Sequence, residues 1–476
     1  MQAVGDPHAP TLSALLERQR AYFQATLKTA SVRSRIQRLK AMRAWVFAHE
    51  AEIRAAVQAD FHKPAHEADL TEILPVVGEL NDAIANLHDW TRPRRVSTPI
   101  SMIGTRSEVH HEPKGCSLIL APFNFPFMLT VSPLISAVAA GCTAVVKPSE
   151  FTPHTTQLIA DMIQALFAED EVACVQGDHT TAQALTALPF DHIFFTGSPE
   201  VGKKVMHAAA EHLASVTLEL GGRNPVIVDE TADLKDAARK LVWGEFMNAG
   251  QSCMSPNYIM VHDKVHDKFL GAVMDFMKTG FGDLGDLSQH PNYAHVITQR
   301  HQQRLSQLVK DTVAAGATLV TGGQTSPNSN FLAPTILKDV KPEHPVMQQE
   351  IFGPIMPILR YHSLDEALRL IQSIERPLGL YIFSRSERHI QRIIRETASG
   401  SLMVNETTIA FGHPGLPFGG AGFSGIGKAH GHAGFMAFTN EKPVVRQSRY
   451  VPSTLLAFPP YSGWKSKVLR LVIRWF

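Results

Sequence analysis

Apolar residues recur along the first 90 positions at helical spacing: Leu12, Leu16, Phe23 and Leu27, then Ile36, Leu39, Met42, Val46 and Phe47. This predicts a helical N-terminal region. Arg92–Ser101 (RPRRVSTPIS) is polar and Pro-containing, and reads as a linker or an edge ribbon. Short apolar runs then alternate with helical patterns. Strands are predicted at Ser117–Ala121, Thr143–Lys147, His192–Thr196 and Val216–Leu220, with helices at Val131–Ala140, Thr155–Phe167 and Pro199–His212. After Gly221-Gly222 the alternation resumes. Strands fall at Val226–Asp229, Tyr258–Val261, Pro357–Tyr361, Leu380–Phe383 and Ser401–Asn405. Helices fall at Leu234–Asn248, Val265–Met277, Gln299–Ala314, Leu364–Ile374 and Glu387–Thr397. Strands separated by helices predict parallel sheets with helices on their faces. Two such blocks meeting at a Gly-Gly joint predict an α/β protein with an interdomain cleft, a usual place for a ligand.

Composition narrows the function. The 476 residues carry 45 Lys plus Arg against 44 Asp plus Glu, so no basic footprint points to nucleic acid. Four cysteines without C-x-x-C spacing argue against a disulfide framework or a Cys-rich zinc site, and fit a reducing, cytoplasmic compartment. The N-terminal residues have no apolar block of a secretory signal, and no run is long enough for a spanning helix. At Trp464–Phe476, by contrast, Trp464, Val468, Leu469, Leu471, Val472, Ile473, Trp475 and Phe476 form a wide apolar arc. Lys467, Arg470 and Arg474 gather opposite it. A basic amphipathic helix with two Trp suits a membrane surface or docking on the protein's own body or a partner subunit.

Several segments carry candidate chemistry. G-x-G-x-x-G occurs at Gly280, Gly282, Gly285 and at Gly420, Gly422, Gly425, but neither opens a strand–turn–helix unit, so both read as loops. His192–Gly202 is the stronger phosphate candidate. Its strand ends at Gly197, Ser198 can cap a helix, Pro199 suits the first turn, and Gly202 permits close packing. An ordinary βα turn would look the same. Cys116 and Cys142 read as core residues. Cys253, in GQSC after a helix, is either a structural thiol or a nucleophile. Glu219 alternates with Leu218 and Leu220 on a strand entering the joint, as a general base or a solvent-facing residue. The histidine clusters His110-His111, His207 with His212, and His430-Gly-His432 lack ligand spacing, and no metal is expected.

Together these segments resemble the aldehyde dehydrogenase superfamily. The motifs run in order: APFNFP (121–126), VVKPSE (145–150), FTGSPEVG (195–202), LELGG (218–222), GQSC (250–253), EIFGP (350–354) and LPFGG (416–420). MNAGQSC at Met247–Cys253 and the Lys-Pro-Ser-Glu variant are most similar to the class 3 branch, and Trp90–Val96 is similar to bacterial coniferyl aldehyde dehydrogenases. Ser252 replaces a Thr common in that branch, and Phe423 a small or polar residue.

The resemblance implies a Rossmann-like NAD(P)-binding domain (1–92 and 113–219), an α/β catalytic domain (220–420), a β-ribbon oligomerisation module (93–112 and 421–450) and an amphipathic tail (451–476). It implies oxidation of an aromatic or medium- to long-chain aliphatic aldehyde to a carboxylic acid. Cys253 would be the nucleophile, Glu219 the base for thioester hydrolysis, and Asn124 an oxyanion donor with the Cys253 N–H. Lys147 and Glu350 would hold ribose hydroxyls, Glu150 the adenosine ribose, Gly197, Ser198 and Gly202 the phosphate side, and Phe352 the nicotinamide ribose. NAD is the expected cofactor, with NADP possible, and a homodimer the expected assembly. Peripheral membrane contact would come through the tail. Phe125, Phe127, Trp243, Met247 and Phe411 are candidates for an apolar substrate funnel or for the core. A thiol acyltransferase or esterase, or a structural protein on the same fold, are the competing readings.

Overall fold

The computed structural model describes residues 9–282, 287–326, 329–450 and 456–475. Three sheets organise them: one of six strands, one of seven and a ribbon of three.

The six-stranded sheet runs in the order Gly425–Ile426, Ser215–Leu220, His192–Gly197, Cys116–Leu120, Thr143–Lys147, Val172–Cys174. All neighbours are parallel except the first pair. Cys116–Leu120 and Thr143–Lys147 are buried along their whole length, as expected where helices cover both faces. Successive residues serve opposite faces: Leu118, Val145 and Ile193 pack with Leu16 and Val205, while Ile119, Val146 and Phe194 pack with Leu39, Val76 and Leu134. The chain leaves Cys116–Leu120 toward Thr143–Lys147 and later returns on its other side as His192–Gly197. This reversal is a switch point, where a crevice opens beyond the carboxyl ends of the strands. Register brings Leu120, Lys147 and Phe195 level there, and sets Thr196 beside Glu219.

The seven-stranded sheet runs Thr318–Thr321, Thr335–Lys338, Ile355–Tyr361, Tyr258–His262, Pro225–Val228, Gly379–Phe383, Ser401–Val404, with only the first pair antiparallel. Val226 and Val228 face helices Leu234–Phe246 and His266–Phe281, whereas Ile227 faces the helices that carry Leu305, Ile371 and Ile390.

Most predicted elements form, and the differences have local causes. The helix expected to run to Asn248 stops at Phe246, because Asn248 and Ala249 take left-handed conformations (φ 55° and 51°). Helix His179–Thr186 and strands Val172–Cys174, Thr318–Thr321 and Thr335–Lys338 were not predicted; each is short and weakly periodic. Phe47, placed on the apolar stripe, is exposed. Segment 421–450 divides: Gly425–Ile426 joins the six-stranded sheet against Leu218 and Glu219, whereas Thr439–Gln447 pairs with Thr105–Pro113 in the ribbon. Arg94–Val96 forms the ribbon's other outer strand. Among the described residues no helix is long and apolar enough to cross a membrane.

One ion pair lies wholly inside the helical layer. Lys63 Nζ stands 2.5 Å from the Glu72 carboxylate, and both side chains are fully buried. Glu72 also accepts the Met128 N–H at 2.9 Å, at the start of helix Met128–Ala140. Removing one partner strands a buried charge. Lys63→Met is therefore expected to lose about 3–5 kcal/mol, read as a lower midpoint of the first denaturant transition. Lys63→Met combined with Glu72→Leu is expected to recover most of that loss.

Candidate active site

A cleft of about 720 Å³ opens at the carboxyl ends of the six-stranded sheet and is closed on its far side by the Cys253 and Glu350 loops. Asn124, Lys147, Glu150, Gly197, Ser198, Glu219, Cys253, Glu350 and Phe352 all line it. Gly202 does not. It lies under helix Pro199–Ala210, where a Cβ would come within 2.7 Å of Leu220, so its role is helix–sheet packing.

The Cys253 turn is held by three amides. Asn224 Nδ2 donates to the carbonyls of Cys253 (2.7 Å) and Ser255 (2.9 Å), while its Oδ1 accepts the Gly379 N–H (2.8 Å). Asn248 Nδ2 donates to the carbonyls of Asn124 (2.8 Å) and Gln251 (3.1 Å). Gln251 Nε2 donates to the carbonyls of Asn248 and His295, both at 3.0 Å, and its Oε1 accepts the Ile297 N–H at 2.9 Å. Gly250 has φ +69° and lies so close to the Gly353 carbonyl that a Cβ would sit 2.3 Å from its oxygen. Thus the thiol loop and the EIFGP loop are locked backbone to backbone. With its carbonyl fixed by Asn248 and by Lys63 at 3.4 Å, Asn124 stands on the same cleft wall as the thiol.

Electrostatics separate the acidic groups. Burial raises the Glu219 carboxyl to about 7; nearby His430 opposes the rise, Glu79 adds to it, and Lys428 opposes it. Its Oε1 is buried without a hydrogen-bond partner. The alternating pattern therefore conceals a buried carboxylate, not a solvent-facing one. Burial raises Glu350 to about 7 as well, against a Gly222 N–H and Arg304, with Glu375 adding to the rise. Burial pushes the Cys253 thiol up strongly, with Glu219 and Glu350 adding to it and the N–H groups of Cys253 and Met254 opposing. Cys116 and Cys142 are buried in the core.

On the opposite wall, Ser198 caps helix Pro199–Ala210, accepting the Val201 N–H at 3.4 Å, so the helix's N-terminal end faces the cleft. Lys147 Nζ pairs with Glu150 at 2.8 Å. Phe352 takes a left-handed φ of 52°, its carbonyl bonded by His301 Nε2 at 2.8 Å and its ring set edgewise on Phe123 at 5.7 Å. Glu350 Oε1 and Thr196 Oγ1 are buried without partners, and both residues line the cleft. These unpaired oxygens beside an apolar wall of Phe123, Phe151 and Phe352 suit a polyhydroxylated, aromatic-ended ligand such as a nicotinamide dinucleotide.

The proposed funnel residues divide. Phe127 is entirely core, and Phe125 and Met247 are nearly so. Trp243 and Phe411 are partly buried, with the Phe125 and Phe411 rings stacked at 6.5 Å. Phe411 and Cys253 pack against the same apolar cluster. Sequence reading missed Thr196, the Asn224–Asn248–Gln251 clamp, and His430, weighed there only as a metal ligand but buried and paired with Glu79 at 2.5 Å. Isolated polar residues on a strand or in loops gave no local sign of these contacts. Of the decoys, Gly280 and Gly282 end helix His266–Phe281, and Gly285 lies outside the described residues. Gly420–Gly425 folds back through a Gly422–Gly425 bridge and opens no helix. Among the described residues, Asp229, Glu230 and His389 form one group with metal-like proximity. They do not line the cleft, and Asp229 is already hydrogen-bonded by Ser384, Thr231 and His389.

The profile of the Aldehyde dehydrogenase family matches residues 8–444. The chain is 40% identical over 444 residues to a 4,4'-diaponeurosporen-aldehyde dehydrogenase of Staphylococcus aureus, covering 93% of this chain and 95% of the relative. It is 38% identical over 439 residues to mouse (Mus musculus) aldehyde dehydrogenase family 3 member A2, covering 92% and 89%. The substrate-bound structure of Staphylococcus aureus AldH superposes with a TM-score of 0.92 at 38% identity, covering 97% of this chain and 99% of the other. The chain belongs to the aldehyde dehydrogenase family, in its class 3-like branch, and is an NAD(P)-dependent enzyme that oxidises aldehydes.

Proposed function

We propose that the cleft oxidises an apolar aldehyde, aromatic or medium- to long-chain aliphatic, through acylation of Cys253. The observation that carries this reading is the shared lining of one cleft by Cys253, Asn124 and Glu219. Desolvation, with Glu219 and Glu350 adding to it, keeps the half-buried thiol protonated at rest, so attack on the aldehyde carbon requires its proton to move, and Glu219 is the acceptor. The sulfur bonds to the carbonyl carbon, giving a thiohemiacetal whose oxyanion accepts hydrogen bonds from the Asn124 amide and the Cys253 N–H. When bound, the nicotinamide cofactor takes up the hydride that this carbon releases. The carbonyl re-forms as a thioester on Cys253. Glu219, having shed its first proton, removes one from water; the water oxygen adds to the thioester carbon, the sulfur departs and regains a proton, and a carboxylate leaves.

Lys147 and Glu350 would hold ribose hydroxyls, the helix end at Gly197 and Ser198 the pyrophosphate, and Phe352 the nicotinamide ribose. Glu150 at the adenosine ribose disfavours a 2′-phosphate, which makes NAD the preferred cofactor and NADP the second. Phe411, packed against the same cluster as Cys253, and Trp243 supply the apolar approach for the aldehyde. The protein is taken to work in the cytoplasm as a homodimer, with the exposed outer edge of Thr439–Gln447 joining a second copy.

Exposed Trp464, Leu469, Leu471 and Ile473 and the cations Lys467, Arg470 and Arg474 on helix Gly463–Trp475 favour a further reading. No acidic residue follows Glu441. The helix would lie on an anionic membrane surface, keeping the enzyme near lipid-dissolved aldehydes.

The activity is tested by reduced-nicotinamide absorbance with NAD or NADP and benzaldehyde, coniferaldehyde, hexanal and hexadecanal. A base at about 7 must be ionised to act, so kcat is expected to be half-maximal near pH 7. Below about pH 6 it should fall roughly tenfold per unit. A flat kcat between about pH 6 and 8 would remove Glu219 from that role. For the tail, the full chain is expected to sediment with phosphatidylserine-containing vesicles and to be released by salt. A chain ending at Ser462 should stay in solution; equal behaviour of the two would refute the surface contact.

A further inference from the structure

The acylation sequence gives Glu219 two opposed tasks: it takes a proton from the thiol and must be anionic again before hydrolysis. On the side of the Glu219 strand away from the cofactor cleft lies a second cavity, of roughly one water molecule's size. Glu219 and His430 both line it, with Ser132, Ser136, Phe194 and Leu129. Glu219 Oε1 and Ser132 Oγ are buried there without hydrogen-bond partners. His430 is itself buried, its Nδ1 2.5 Å from a Glu79 carboxylate oxygen on helix Leu74–Trp90. The ring stands edgewise on Phe418 at 4.9 Å, and the backbone holds a left-handed φ of 68°. The imidazole is thus fixed by its backbone, an aromatic face and an ion pair, in the wall that Glu219 shares.

We propose that the buried His430–Glu79 ion pair is a positioning element for Glu219: the imidazolium in the shared wall holds Glu219 in its anionic, base-ready form, and Glu79 keeps that imidazolium charged. The inference rests on the base role given to Glu219 above. The charged surroundings agree with it. Burial disfavours the His430 cation, but Glu79, and beyond it Glu219, raise its pKa above the usual histidine value. Glu219 faces His430, Lys428 and Glu79, with the Cys253 thiol on its other side. Asp82, one turn from Glu79, is raised by burial and further by Glu79, and it has His413 and His432 on its outer side.

The pair is neutral as a unit, which makes the test a matter of charge. His430→Gln leaves the Glu79 anion uncompensated near Glu219. The alkaline rise of kcat should then move up by about one pH unit, with the pre-steady-state burst of reduced nicotinamide retained. The double variant Glu79→Gln with His430→Gln removes both charges; its limb should fall between those of the single variant and the wild type, because His430 acts on Glu219 more strongly than Glu79 does. Damage to packing alone would make the double variant no better than the single one. An unmoved limb in His430→Gln, a double variant shifted at least as far, or a double variant restored wholly to the wild-type position overturns the proposal. Loss of aldehyde-dependent cofactor reduction in the unaltered enzyme would instead overturn the oxidation reading on which it rests.

Discussion

Crowding of the buried Glu219 with the partly buried Glu350 and Cys253 around one cleft governs the rest of the site. Each acidic group is costly to ionise in such a place, and each anion makes its neighbours harder to ionise. The fold answers by fixing the groups and by setting cations behind them, His430 and Lys428 near Glu219 and Arg304 near Glu350. Asn224, Asn248 and Gln251 hold the thiol loop by its carbonyls. Asn257 Oδ1 accepts the Ile351 N–H at 2.8 Å, and His301 holds the Phe352 carbonyl at 2.8 Å, so the backbone that follows Glu350 is fixed. Charges that cannot be removed are thereby kept apart by rigid backbone, which is what a preorganised reaction centre requires.

The two large sheets divide this work. The six-stranded sheet presents its carboxyl ends and one capped helix to the cleft, while the seven-stranded sheet supplies the two loops that close it. Glu219 ends the last long strand of the first sheet, and Gly425–Ile426 pairs with it from behind. That short strand leads directly to Lys428 and His430, so the segment that completes the sheet also delivers the charges behind the carboxylate.

Strand–helix alternation was legible because fully buried parallel strands read as apolar runs, and the residues that line the cleft were legible because they sit at strand ends within compact motifs. Glu219 illustrates the limit. Alternation with Leu218 and Leu220 located it on a strand but could not say whether its face was wet or dry. Helix Leu234–Phe246 likewise ends early for a reason local pattern does not carry: Asn248 turns left-handed to reach the Asn124 carbonyl. His430 and Glu79 lie in separate elements far apart in the chain, and only the packed fold brings them to 2.5 Å. Gly202 packs closely against Leu220 as its place in the motif suggested, but it does not line the cleft where the resemblance placed it.

Covalent catalysis at Cys253 is the central claim, and intact-protein mass spectrometry of the unaltered enzyme, acid-quenched within its first turnover with NAD and hexanal, tests it most directly. The account predicts that one equivalent of reduced nicotinamide forms while an acyl group accumulates on Cys253, and that Cys253→Ser gives neither. Reduced nicotinamide formed with no mass gain on Cys253, or formed equally by Cys253→Ser, would contradict it.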